Sequence, residues 1–163
     1  MHASLNSSDR TDWQSPDNLL ELVREVGEIV LDPCTVASNP CRARRILVDP
    51  QGLKERWTRY ACGGLIYANP PYGRVLPGWV NKVVEESHRG ATIILLVPSR
   101  TDTEWFQRAY GSCSALCLWS GRLTFRGAPD PAPFPSALFF FGARATALQF
   151  VQVFDPHGIT VLR

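Results

Sequence analysis

Three times between residues 28 and 73 an apolar run breaks off at an acidic or amide residue followed by proline: "EIVLDPC" (28–34), "RRILVDP" (44–50) and "GLIYANPPYG" (64–73). Helical stretches flank these runs. A chain that repeats this pattern is expected to lay its strands side by side and parallel, so that Asp32-Pro33, Asp49-Pro50 and Asn69-Pro70 gather at one edge, where open α/β sheets take their ligands. "ATIILLVP" (91–98) is a fourth strand, continuous and apolar as a strand buried on both faces should be.

The intervening pieces read as helices. In "SPDNLLELVREVG", Ser15 is placed to cap, Pro16 to take the first helical position and Asp17 to sit in the first turn. Leu19, Leu20, Leu22, Val23 and Val26 then form a stripe, and Gly27 ends it. "LPGWVNKVVEESHRG" and "TDTEWFQRAYG" follow the same logic, the second with a Thr or Asp cap. Beyond residue 112 the character changes: "SALCLWSG", "RLTFRG", "SALFFFG", "LQFVQVF" and "GITVLR" are short β runs separated by Gly and Pro. The expected fold is α/β with three layers, its mostly parallel sheet ending in an antiparallel hairpin. Residues 1–11 are expected to form a loose arm, 12–142 the main domain, and 143–163 a β extension packed on it.

Composition narrows the function classes. With 17 Lys+Arg against 15 Asp+Glu the net charge is +2, which neither demands nor forbids a nucleic-acid partner. The five cysteines include no CxxC pair, which argues for reduced thiols and against a zinc site. No metal is expected. The first residues lack an apolar signal core, and no apolar run reaches the ~20 residues of a membrane span. A soluble, cytoplasmic protein is the expectation.

The tetrad Asn69-Pro70-Pro71-Tyr72 carries the chemistry. Two prolines stiffen the turn and remove backbone donors, leaving the Pro70 carbonyl without a neighbouring N–H to compete for it. Asn69 adds a side-chain acceptor. Two converging acceptors suit an exocyclic NH₂ group, and Tyr72 offers a face on which a planar ring can stack. Such a site fits a planar amine whose nitrogen becomes a nucleophile. No G-x-S-x-G or phosphate-binding loop is present.

With these residues in view, the chain resembles the phage-type DNA N6-adenine methyltransferase (Dam-like) family. The matching segments are "DWQSP", "LDPC", "GLKERW", "ANPPYGR", "LLVPSRTDTEWF", "GRLTFRG" and "APFPSALFFFG", in family order over about residues 12–142. The resemblance implies a Rossmann-like methyltransferase fold that uses S-adenosyl-L-methionine, with DNA as partner. It implies that Asn69, Pro70, Pro71 and Tyr72 are catalytic and that Asp32, Pro33 and Cys34 stand beside the methionine part of the cofactor. Trp13, Ser15 and Pro16 would close over the cofactor, and Asp49 would accept the ribose hydroxyls. The chain departs from the pattern in "DPCTVASNP", which lacks the glycine-rich turn, and at Pro50-Gln51, where relatives often carry an acidic pair.

A target adenine in duplex DNA must be swung out of the stack. Arg42, Arg44 and Arg45 are the expected phosphate footprint, joined by Arg74, Arg100 and Arg122. Arg122 and Arg126 are expected to share one face of a strand with Phe125 between them. Two other readings stand beside this one. One is a catalytically silent DNA- or protein-binding module; the other is a methyltransferase acting on protein glutamine or RNA.

Overall fold

A computed structural model describes residues 13–48 and 50–163. The expected arm at 1–11 and the expected ribose acceptor Asp49 lie outside the described residues. Helix α1 (Asp17–Val26) leads into β1 (Ile29–Thr35) and β2 (Arg45–Val48). Two single-turn helices, α2 (Gln51–Lys54) and α3 (Thr58–Ala61), precede β3 (Leu65–Ala68). Then come α4 (Leu76–His88), β4 (Thr92–Pro98), α5 (Glu104–Ser112), β5 (Ala115–Trp119) and β6 (Ser136–Phe141). Helix α6 (Arg144–Phe154), a 3₁₀ turn (Asp155–His157) and β7 (Gly158–Leu162) complete the chain.

Among the described residues seven strands form one sheet in the order β2-β1-β3-β4-β6-β5-β7. The first four run parallel, and β6 pairs antiparallel with both β4 and β5. This is the α/β methyltransferase-type sheet with its antiparallel end. Residues Ile93 to Val97 are fully buried, so both faces of β4 are covered. The helices fall into two groups: α1 packs on α6, while α4 packs on α5 and α2.

Chain order and sheet order part company at β1. From β1 the chain steps outward to β2, then returns across β1 to form β3. The crevice outside the carboxyl ends of β1 and β3 is therefore the switch point where such sheets bind ligands. Asp32 lies on β1 and Asn69 directly follows β3. Gly73, with φ of 96°, ends the tetrad's turn in a conformation that side chains resist, and lets the chain enter α4.

Three expectations are corrected. The β extension expected at 143–163 is a helix followed by a strand. Ala147, Phe150 and Phe154 are buried at helical spacing, and α6 carries the chain back so that β7 pairs with β5. "RLTFRG" joins no sheet, although Leu123 and Phe125 are buried while Arg122, Thr124 and Arg126 are exposed. It belongs to the long β5–β6 connection, and the alternation arises because that loop lies flat on the core. Finally, Ser15 caps nothing: α1 begins at Asp17, and Pro16 precedes it with no side-chain cap. For α5 the cap is Thr103, which accepts from the Phe106 N–H at 3.3 Å.

Candidate active site

The site grows from the Asn69 side chain. Its Nδ2 donates to the Trp13 carbonyl and to Ser15 Oγ, the latter at 3.0 Å. Ser15 Oγ is 2.6 Å from the hydroxyl of Tyr67, which is fully buried on β3. On the other side, the Tyr72 hydroxyl donates to Asn69 Oδ1 at 2.9 Å. A carbonyl oxygen can only accept, so the Trp13 carbonyl fixes which end of the carboxamide is nitrogen. Asn69 Oδ1 must then face Tyr72.

Two cavities flank this turn. The first, about 150 Å³, is walled by Trp13, Ser15, Asp32, Cys34, Thr35, Cys41, Asn69 and Pro71 among others. The second, about 390 Å³, is walled by Trp13, Tyr72, Gly73, Arg74, Leu76, Pro98, Arg100 and Phe134. Trp13 lines both, and Pro70 is buried without lining either.

Aromatic rings close the turn from above. The β5–β6 loop sets Phe125 and Phe134 against Trp13, each with ring centroids 5.2 Å away. Tyr72 meets the same two rings edge-on, at 6.3 Å and 5.6 Å. The loop is tied to the N-terminal segment by the Arg126 N–H, which donates to the Gln14 carbonyl, and by the Arg126–Asp17 ion pair. Tyr72 is consequently 6% exposed. The open stacking face anticipated for it is covered here by ring edges, because its hydroxyl is drawn inward to Asn69.

Asp32 anchors the first cavity. It is 4% exposed, and no cation pairs with it among the described residues. Burial raises its pKa above the usual carboxylate value, against the opposing pull of the Cys41 thiol and the Cys34 backbone N–H. Burial, then the Asp32 charge, pushes the Cys41 thiol up in turn. The Thr35 hydroxyl helps hold the Asp32 charge, yet is buried without a hydrogen bond of full geometry. The turn after β1 needs no glycine. Asn39 sits in the left-handed region, and its amide brackets Ala43, accepting from its N–H at 2.9 Å and donating to its carbonyl at 2.8 Å. The glycine that this strand end requires comes from elsewhere. A Cβ on Gly52 would fall 1.8 Å from the Pro33 carbonyl oxygen, so only glycine lets α2 press against β1.

The sequence profile of the DNA N-6-adenine-methyltransferase (Dam) family matches residues 2–135. The chain belongs to that family. Its reaction is methylation of adenine in DNA at N6, which makes this Dam-family chain an enzyme and DNA its substrate. No curated protein matches the chain. No helix among the described residues is long and apolar enough to cross a membrane. No group of three or more His, Cys, Asp or Glu among them could hold a metal.

Within the Dam-family site, Trp13, Ser15, Asp32, Cys34, Asn69 and Pro71 come together in the first cavity, while Pro16 and Pro33 lie beside it in sequence. The arginines are scattered. Arg74 and Arg100 line the second cavity. Arg44 is held by Glu28 at 2.5 Å, and its N–H bonds the Ile29 carbonyl at the start of β1, roughly three residues or ~10 Å short of the edge that holds Asp32. Arg45 is exposed at the start of β2, and Arg42 is exposed on the preceding loop with φ of 51°. Arg122 is exposed on the β5–β6 loop. Tyr67, Phe125 and Phe134 escaped sequence reasoning. Tyr67 read as one more apolar strand residue, and the two phenylalanines stood in segments whose match to the family was the only signal.

Proposed function

We propose that the chain transfers the methyl group of S-adenosylmethionine to N6 of a DNA adenine swung out of the duplex onto Asn69–Tyr72. The observation that carries this reading is the placement of one turn between two cavities, with Asn69 and Pro71 facing one and Tyr72 the other. A two-substrate transfer needs this arrangement: donor and acceptor approach from opposite sides and meet within about 3–3.5 Å.

The residues of the first cavity fit the donor's chemistry. Asp32 is a buried carboxylate without a cationic partner among the described residues, and the Thr35 hydroxyl beside it is unsatisfied. The donor's ammonium would pair with the first and bond the second. S-adenosylmethionine supplies, when bound, an electrophilic methyl on a positively charged sulfur. Its volume requires more than the free 150 Å³, since ligand pockets span roughly 300–1,000 Å³. The wall formed by Val36 and Pro40, on the loop after β1, therefore moves outward as the donor enters, and the Trp13 and Ser15 bonds to Asn69 stay in place.

Asn69 Oδ1, which is directed at Tyr72 on the side of the second cavity, accepts from the amino group of the extruded adenine after the Tyr72 hydroxyl turns away. The Pro70 carbonyl, to which no described residue donates, becomes the second acceptor once Tyr72 has moved aside, since Pro70 is buried and lines neither cavity before that. Holding both amino hydrogens draws the nitrogen lone pair out of the ring and aims it at the methyl. Freed from Asn69, the Tyr72 ring gives the base a stacking face. Arg74 and Arg100, at the same cavity, hold the flanking phosphates.

The test is incubation of the purified chain with unmethylated duplex DNA and methyl-labelled S-adenosylmethionine, followed by digestion to nucleosides. Label in N6-methyladenine, absent with Asn69→Ala, is the expected result. Label in protein or RNA added to the same reaction, with none in DNA, would overturn it.

A further inference from the structure

Tyr67 is a buried hydroxyl that neither the fold nor the transfer step explains. It sits on β3, a strand otherwise made of Leu65, Ile66 and Ala68, and its oxygen reaches Ser15. Packing alone would be served as well by phenylalanine, and a buried hydroxyl is retained at a cost unless it is bonded. Ser15 in turn forgoes the capping role its sequence position offers and points into the site instead.

From this geometry we infer that Ser15 and Tyr67 are positioning residues for the methyl-transfer step: together with the Trp13 carbonyl they orient and polarise the Asn69 carboxamide. The inference rests on the reading of Asn69 as an acceptor for the target amine.

The Asn69 amide nitrogen has two hydrogens, and both are taken, one by the Trp13 carbonyl and one by Ser15 Oγ. An amide whose N–H groups are both donated shifts charge to its oxygen, which becomes a stronger acceptor, because hydrogen bonds in a chain polarise one another. Tyr67 holds Ser15 Oγ at 2.6 Å, so the hydroxyl stays where Asn69 needs it. The Tyr72 hydroxyl, donating to Asn69 Oδ1, marks the direction from which the target's N–H would come. Ser15 thus acts on the target side of the reaction through Asn69, although it also lines the cavity assigned to the donor.

The experiment compares the full chain with Ser15→Ala, Ser15→Thr, Tyr67→Phe and Asn69→Ala, measuring kcat and the KM for S-adenosylmethionine on unmethylated duplex DNA. Thermal melting confirms that each variant is folded. Loss of one hydrogen bond to Asn69 predicts a fall in kcat of about tenfold for Ser15→Ala. The donor KM is expected to stay within twofold, and Ser15→Thr, which keeps the hydroxyl, to recover most of the loss. Tyr67→Phe is expected to fall in the same direction by less. A raised donor KM at unchanged kcat in Ser15→Ala would overturn the inference and make Ser15 a donor contact, as would a fall that Ser15→Thr does not repair. Retention of activity by Asn69→Ala would instead overturn the reading of the site itself, and the two failures are thereby told apart.

Discussion

The Tyr72 hydroxyl occupies the acceptor that the target amine needs, Asn69 Oδ1, at 2.9 Å. A base entering the second cavity must displace it. Tyr72→Phe keeps the ring and removes the competitor, so kcat/KM on genomic DNA should rise about threefold to tenfold, the worth of one hydrogen bond. Tyr72→Ala, which also removes the ring, should lower it by the ~1–3 kcal/mol of a lost stack. Steady-state methylation at limiting DNA checks both; a Tyr72→Phe enzyme as impaired as Tyr72→Ala would contradict the displacement.

Donor affinity should depend on pH through Asp32. Burial raises its pKa above 3.8, so the carboxylate that an ammonium requires is lost at a higher pH than an ordinary aspartate would lose it. Binding should be constant well above that raised pKa. It should weaken by up to about tenfold per pH unit below it. Titrations following tryptophan fluorescence, to which Trp13 beside the cavity contributes, should show this, and Asp32→Asn should be weak and pH-independent.

The arginines should divide by position. Arg74→Ala and Arg100→Ala, at the second cavity, should each weaken duplex binding and reduce the slope of log affinity against log salt by about 0.9. Arg44, neutralised by Glu28 near the start of β1, should leave that slope unchanged. Binding isotherms at several salt concentrations decide it.

Glu86 is a structural carboxylate. It is fully buried and accepts from Lys82 at 2.7 Å, Arg89 at 2.8 Å and the Trp57 N–H at 3.0 Å. Burial works to raise its pKa, but the hydrogen bonds and charge of Lys82, then Arg89 and the Trp57 N–H, bring the net below the ordinary 4.5. A carboxyl depressed in the folded state contributes stability that is present above 4.5 and lost as pH falls toward the folded value. Asp32, raised by burial, works with the opposite sign: its ionisation removes stability as pH rises. Glu86→Ala strands the buried Lys82 and should cost about 3–5 kcal/mol at neutral pH in denaturant unfolding. Most of that difference should vanish well below pH 4.5.

The strands were legible because their signals are local. β1, β2 and β3 each show an apolar run that ends at Asp-Pro or Asn-Pro, β4 shows a continuous apolar run, and the parallel arrangement with Asp32 and Asn69 at one edge follows from that repetition. What escaped depends on contacts distant in sequence. Phe125 and Phe134 become walls of the site only when the β5–β6 loop folds over Trp13. Gly52 carries no local signal of its role, which is set by the contact of α2 with the Pro33 carbonyl. Ser15 carried a correct local cue for capping, overridden because Tyr67 and Asn69 offered its hydroxyl partners 52 and 54 residues away. In α6, the β-branched and aromatic content of "LQFVQVF" favoured a strand, and packing of Phe150 and Phe154 onto the sheet's other face decided for helix.

A crystal structure of the chain with S-adenosylhomocysteine, the demethylated donor, tests the division into two cavities most directly. The account predicts the amino-acid end against Asp32 and Thr35, the sulfur directed at Asn69, and the Val36–Pro40 wall displaced while Trp13 and Ser15 keep their bonds to Asn69, with the Tyr72–Arg100 cavity still open. Density for the ligand between Tyr72 and Arg100, with Asp32 left unpaired, would contradict it.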